Sequence, residues 1–403
     1  MQMRNLAFRG LRLPRLGAMM RSGRYSVEGV TPLSVWDAAN QIARSGGDAI
    51  PLQTLFANTR NGTATYVDAS GKIVTQTALN SITNHYIDGV AHALFQPSAV
   101  TRAIYRRDLT NAAWVKTNMA AAKTSVGADG ATNAATRLTA SEGNATVLQS
   151  LTHASTARSY TAYIKRVTGS GDIQMTMDNG STWTTVATSA HYTRVTIPTQ
   201  TLANPIFGFR IVTSGDAVDI DYNQMEDGVF PTTVIDGAEG SAVTRLADAA
   251  SCPLTTLPVD TTGGTIFIEG RAYYDPNGSD FNRVFQIDDG TNSNNIQLVV
   301  RDSSNEMAFF VQTGGVTQCS EKMIYVSGDV FSAAIRFTAN DCVLSLGGSN
   351  SGAGTSVTLP HGLNTFRWAQ SAGGSRDNAV SISKFRSFAH EFTTAEMDAE
   401  TGA

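Results

Sequence analysis

The shortness of its regular segments is what most limits how this chain can fold. Between residues 135 and 224, polar and apolar residues alternate in runs at 135–138, 147–151, 159–167, 173–177, 183–186, 193–197, 207–212 and 218–224. Turn sequences such as Asp178-Asn-Gly180 and Ser214-Gly-Asp216 separate them. Alternation with period two places successive side chains on opposite faces of a strand, and Gly, Asn and Asp supply the geometries that reverse the chain. Eight such strands predict two stacked antiparallel sheets. A second series runs through 266–274, 283–287, 295–300, 307–311, 323–326, 331–337, 342–346, 365–369 and 382–388, after a boundary marked by Pro253, Pro258 and Thr261-Thr-Gly-Gly264. It predicts a second sandwich. Thr393 followed by Glu396 is the signature of a capping box, so a last short helix is expected there.

The fold class expected is therefore mainly β, with two consecutive antiparallel, jelly-roll-like sandwiches at 107–252 and 259–403. Ahead of them, residues 1–50 read as a basic arm with one helix over 35–44, capped by Ser34 and carrying Trp36, Ala39 and Ile42 at three-residue spacing. Residues 51–106 read as a connector built on a hairpin whose turn is Asp68-Ala-Ser-Gly71.

Charge excludes some functions. Over 403 residues the net charge is -4 and charged residues make up 16%, so no basic face for nucleic acid is expected. The first 27 residues depart from this pattern, with Arg4, Arg9, Arg12, Arg15, Arg21 and Arg24 and no acid. Such an arm is a solvated tail, an anchor for an acidic partner surface, or a targeting peptide. No apolar run approaches the roughly 20 residues of a membrane span, and no export signal is visible, so a soluble protein without membrane insertion is expected. Cys252, Cys319 and Cys342 are odd in number and lack Cys-x-x-Cys spacing. They are expected to be reduced, buried, small apolar residues.

Candidate chemistry is sparse. Asp219 and Asp221, two apart on one strand, share a face, where they are solvent-facing residues, Ca²⁺ ligands or catalytic acids. Asp275-Pro-Asn-Gly-Ser-Asp280 reads as a turn before it reads as a cation loop. The six histidines lack metal-site spacing, and neither a Gly-x-Ser-x-Gly elbow nor a phosphate loop occurs. No cofactor is implied beyond that Ca²⁺, and no catalytic constellation is found. Sugar rings present apolar C–H faces that stack on aromatics, which makes Trp183, Tyr273 and Tyr274 the candidate glycan contacts. Trp114 and Trp368 are assigned to the core.

The segment 63–71 (TATYVDASG), Arg107-Asp-Leu-Thr-Asn-Ala-Ala-Trp114 with Lys116-Thr-Asn118, Tyr160-Thr-Ala-Tyr-Ile-Lys165, and Gln224-Met-Glu226 leading to Val243-Thr-Arg245 stand in a fixed order. Together they resemble a recurrent domain of tailed-phage and gene-transfer-agent fibre and spike proteins, over roughly residues 60–250. Met225, Asp227 and Phe230 stand where that family has Leu, Glu and Tyr, and Leu246 where it has Ala. The last block resembles concanavalin-like or laminin-G-like sandwiches on its strand pattern and its ending Phe385-Arg-Ser-Phe388 to Thr393-Thr-Ala-Glu-Met397. The resemblance implies a non-enzymatic virion head or tail fibre subunit, homotrimeric, docked on capsid, portal or tail through its arm and recognising host surface polysaccharide. A capsule-degrading depolymerase and a purely structural adaptor or decoration protein remain alternatives.

Overall fold

The computed structural model describes residues 25–51, 55, 57–58, 60, 62–76, 84–273, 281–301, 304–374 and 379–403. The six arginines of the arm, Tyr274 and the segment 275–280 lie outside the described residues. The structure is mainly β with antiparallel pairing throughout its named strands, and the helix described in it is Thr394–Thr401. Its capping box forms as the sequence predicts: the Thr393 hydroxyl accepts from the Glu396 N–H, and the Glu396 carboxylate accepts from the Thr393 N–H at 2.7 Å.

The middle sandwich spans residues 99–245. One sheet orders its strands Trp114–Thr117, Ala145–Ser150, Ile206–Ile211, Ile173–Thr176 and Thr184–Thr185. The facing sheet runs Met119–Ser125, Ala135–Ala140, Ala217–Asp227, Thr156–Thr168 and Thr193–Leu202, with Ala99–Thr101 and Val243–Arg245 joined to it. The inward residues of both sheets, among them Trp114, Tyr160, Phe207, Phe209 and Met225, bury one core. Trp114 and Tyr160 each meet Phe207 edge-on, at centroid distances of 5.6 and 5.3 Å.

The terminal sandwich is discontinuous in sequence. Its first sheet is built on Gly264–Tyr273 and Ala379–Phe388, and the latter pairs with both Ser34–Asp37 and Val90–Phe95. Its second sheet has seven strands among the described residues, in the order Val316–Ile324, Glu306–Thr313, Asn295–Arg301, Asn282–Asp288, Thr365–Trp368, Ala250–Pro253 and Ala57–Asn58. The middle sandwich is thus an insertion between the early and late strands of the terminal one. The core records the same splice. Trp36 and Phe95 are fully buried among Phe285, Phe366, Trp368 and Phe385, and Phe95 stacks on Trp368 at 5.8 Å.

Two sequence expectations fail here. Residues 35–44 form no helix but a hairpin, Ser34–Asp37 with Ile42–Ser45, closed by a turn in which Asp37 Oδ1 accepts from the Asn40 N–H. A helical stripe of three apolar residues cannot stand alone in water. Pairing with Ala379–Phe388 satisfies the same backbone and buries Trp36 completely. The cysteines also differ from expectation: Cys319 and Cys342 form a disulfide. Each projects inward from an outer strand of its own sheet, so the bond ties the two sheets together. Cys252 is a buried free thiol, and burial raises its pKa to about 12.

Candidate glycan-binding surfaces

Asp219 and Asp221 do share one face of their strand, but that face is not solvent-exposed, because both side chains are fully buried. Asp219 accepts from Ser125 Oγ at 2.6 Å, from Arg137 Nε at 2.9 Å and from Lys165 Nζ at 2.9 Å. Burial opposes its ionised form, yet these three donors outweigh that penalty and hold its pKa below the ordinary value. Asp221 accepts from Arg107 Nε at 2.7 Å and Nη2 at 3.0 Å, and from the Ala128 N–H at 2.7 Å. Arg107 also grips Asp129 with two bonds of 2.8 and 2.9 Å and lies 4.1 Å over the Tyr222 ring.

A cation bound between these aspartates would have to displace an arginine or a lysine. The hairpin Ala64–Val67 with Ile73–Gln76 closes the cluster from outside, packing Ile73 against Ala128, Tyr163, Tyr222 and Val234. This arrangement is a clamp. Arg107, which opens the segment 107–114, is its central cation, and Trp114, which closes that segment, lies in the core beneath.

Trp183 is half-buried, with the Arg210 guanidinium 4.4 Å from its ring centre. Gly180, at φ +79° in the predicted Asp178-Asn-Gly180 turn, sits so close that a Cβ there would come within 2.8 Å of the indole nitrogen. The ring is therefore wedged between a turn and a cation, which restricts its use as an open platform. Tyr273 stacks on Phe230 at 5.4 Å and so joins the two sandwiches.

The outward face of the seven-stranded sheet was not singled out by the sequence reading. Period two sends Phe285, Ile287, Ile296, Leu298, Phe309 and Val311 into the core and turns the alternate residues outward. Register then sets these in rows: Arg367, Gln286, Gln297 and Phe310 in one, and Asp288, Asn295, Gln312 and Thr317 in the next. Gln286 is locked, accepting from Arg283 Nε at 3.2 Å and donating to Asp288 Oδ2 and Asn292 Oδ1, both at 3.1 Å. Asn295 Nδ2 donates to the Asn292 carbonyl at 2.7 Å and to Gln312 Oε1 at 2.9 Å.

Two acceptors on this face remain unmatched. Asn295 Oδ1 and Gln297 Oε1 have no hydrogen-bond partner among the described residues, and both oxygens are buried from solvent, their residues being 0% and 2% exposed. The same face carries a cavity of about 330 Å³, lined by Gln297, Asn292, Gln312 and Thr317, with Phe281, Phe310 and Arg283 completing its wall. The missed signal is visible in retrospect as amides alternating with Ile and Leu at 295–298.

No protein-family model matches the chain, and no curated protein matches it. Among solved structures it is similar to the Ruminococcus gnavus IT-sialidase CBM40 bound to alpha2,3 sialyllactose, at 12% identity and TM-score 0.31, over 35% of this chain and 83% of that one. The structure described as "Cell entry of botulinum neurotoxin type C is dependent upon interaction with two ganglioside molecules" is similar at 14% identity and TM-score 0.30, over 38% of this chain and 39% of that one. A heptameric SAP-like pentraxin from Limulus polyphemus is similar at 12% identity and TM-score 0.28, over 34% of this chain and 68% of that one. Likenesses this partial bear on neither ligand nor activity.

Proposed function

We propose that this chain is a non-enzymatic glycan-recognition subunit of a tailed-phage particle, and that the outward face of the seven-stranded sheet is its binding surface. The cavity on that face, lined by amide side chains and two phenylalanines, carries the glycan part of this reading. The amide groups of Asn292, Gln297 and Gln312 and the hydroxyl of Thr317 line it and offer hydrogen bonds to the hydroxyls of a sugar. Phe281 and Phe310, 5.8 Å apart, offer an apolar wall for the C–H face of a sugar.

The virion setting rests on the resemblance of residues 60–250 to phage fibre proteins. In that setting the arginines of residues 1–24 dock on capsid, portal or tail, and trimeric display multiplies a weak single-site affinity through effective concentration. Incubating the purified chain with polysaccharide extracted from candidate host cells tests the proposal. Retention of the chain on the polysaccharide with no change in polymer length is expected. Shortened polymer would establish a depolymerase instead, and no retention on any host polysaccharide would favour the adaptor role.

A further inference from the structure

We infer that Cys319, Cys342 and Glu321 form a redox-gated site for a thiophilic cation of the Zn²⁺ class, closed while the two sulfurs are bonded to each other and open once that bond is reduced. This inference is independent of the glycan reading. Register brings the three side chains together. Cys319 and Glu321, two apart on Val316–Ile324, stand opposite Val311 and Phe309, whose side chains point into the core. Both therefore face inward, towards Cys342 on Asp341–Leu346 of the other sheet. The two Sγ atoms and a carboxylate oxygen of Glu321 all lie within 4.8 Å of one another.

The disulfide accounts for the two cysteines but not for the acid. Glu321 is half-buried on the apolar side of its sheet, and among the described residues it makes no hydrogen bond or ion pair. The neighbouring backbone leaves room for it there. Gly354 pairs with Cys342, and a Cβ at Gly354 would come within 2.7 Å of Cys342 Sγ and 2.9 Å of Glu321 Oε1. A side chain at that position would push the carboxylate away from the sulfur.

Redox state decides what these atoms can bind. A dithiol reductant gives two electrons and two protons to the bridge and leaves as its own disulfide, so the site becomes two thiols and a carboxylate. Zn²⁺ then displaces the two thiol protons to solvent. Thiolates are soft donors that favour Zn²⁺ over Ca²⁺ or Mg²⁺, and Glu321 supplies a third, oxygen ligand. Three protein ligands leave the fourth tetrahedral position for water. Two Zn–S bonds part the sulfurs to about 3.8 Å, a spacing that side-chain rotation reaches at the 6.5 Å Cα separation of the cysteines. The metal then ties the two sheets together where the disulfide did before.

Calorimetric titration of Zn²⁺ into the full chain tests this, comparing the oxidised form with one reduced by a dithiol that is then removed under argon. The reduced chain is expected to bind one Zn²⁺ at least a hundredfold more tightly than the oxidised chain. Glu321→Gln, at a half-exposed position where folding is not at stake, is expected to weaken that binding tenfold or more. Cys342→Ser is expected to abolish it, and Cys252→Ser, at the buried free thiol, to leave it unchanged. Cd²⁺ in place of Zn²⁺ is expected to give thiolate-to-metal absorption in the reduced form alone. Equal binding in the two redox forms overturns the inference, as does unchanged binding in Glu321→Gln, which decides the matter if the Cys342 variant does not fold. If reduction melts the terminal sandwich, Zn²⁺ is expected to restore its thermal transition, and failure to do so overturns the inference as well.

Discussion

The two sandwiches each bury polar side chains on the outward face of a sheet, and they do so to opposite ends. In the middle one, Asp219 and Asp221 are matched by Arg107, Arg137 and Lys165, and a hairpin covers the cluster. In the terminal one, Asn295 and Gln297 keep unmatched oxygens beside a cavity. A closed network of opposite charges holds a structure together and leaves nothing for a ligand to satisfy. A pair of neutral acceptors buried without partners contributes nothing to stability and makes that face easier to substitute.

The largest effect that could break this comparison is excision. Residues 96–250 alone are expected to fold, because their core is contained within them. Residues 250–403 alone are expected to stay unfolded or aggregate, since they lack Trp36, Phe95 and the strands that flank Ala379–Phe388. Circular dichroism with denaturant titration of each fragment checks this. A cooperative transition in the second fragment would show that the splice is dispensable.

Asp221→Ala is next, with an expected loss of about 3–5 kcal/mol in urea unfolding, because Arg107 is left as a buried cation with half its partners gone. A loss below 1 kcal/mol would mean the clamp is not a clamp. Reducing the Cys319–Cys342 bond, which closes a loop with a sequence separation of 23, should cost the terminal sandwich about 3 kcal/mol. Unfolding measured with and without reductant reads it, and the Trp114 environment should not respond.

Acid tests the joint between the regions. His85 and His92 face each other across the hairpin Asn84–Ile87 with Val90–Phe95, and burial lowers each from 6.5 to about 4. The unfolded chain binds more protons than the folded one between those values, so stability falls as pH drops from 6.5 towards 4 and changes no further from this source below it. For the buried His92 the loss reaches at most about 3 kcal/mol. His92→Gln should flatten that slope, as followed by melting temperature against pH. The smallest effect is expected of Gln297→Leu, within about 1 kcal/mol of wild type or stabilising, because it removes an unmatched acceptor. A loss as large as that of Asp221→Ala would erase the distinction between clamp and site.

Much of the fold was legible in the sequence. The strand runs at 207–212, 218–224 and 295–300, the turn at Asp178-Asn-Gly180, the hairpin at 64–76 and the capping box at Thr393 all follow from period and turn chemistry, which act within a few residues. Trp36 misled because three apolar residues at helical spacing also fit a strand whose partner lies more than 300 residues away in Ala379–Phe388. The disulfide misled for the same reason, since no local spacing announces that Cys319 and Cys342 face each other across two sheets. Of the candidate sites, the sequence placed Asp219 and Asp221 on one face and left open what they face.

Alternation alone determined that this chain is built of antiparallel sheets and which residues of each strand share a face. Tertiary structure decided that one sandwich is threaded through the other, that the aspartates meet arginines rather than water, and that Asn295 and Gln297 are buried with unmatched acceptors. Period-two patterning is a property of neighbours in the chain. Partnership between side chains is set by which strands come to lie side by side, and that depends on long-range pairing with no local signature.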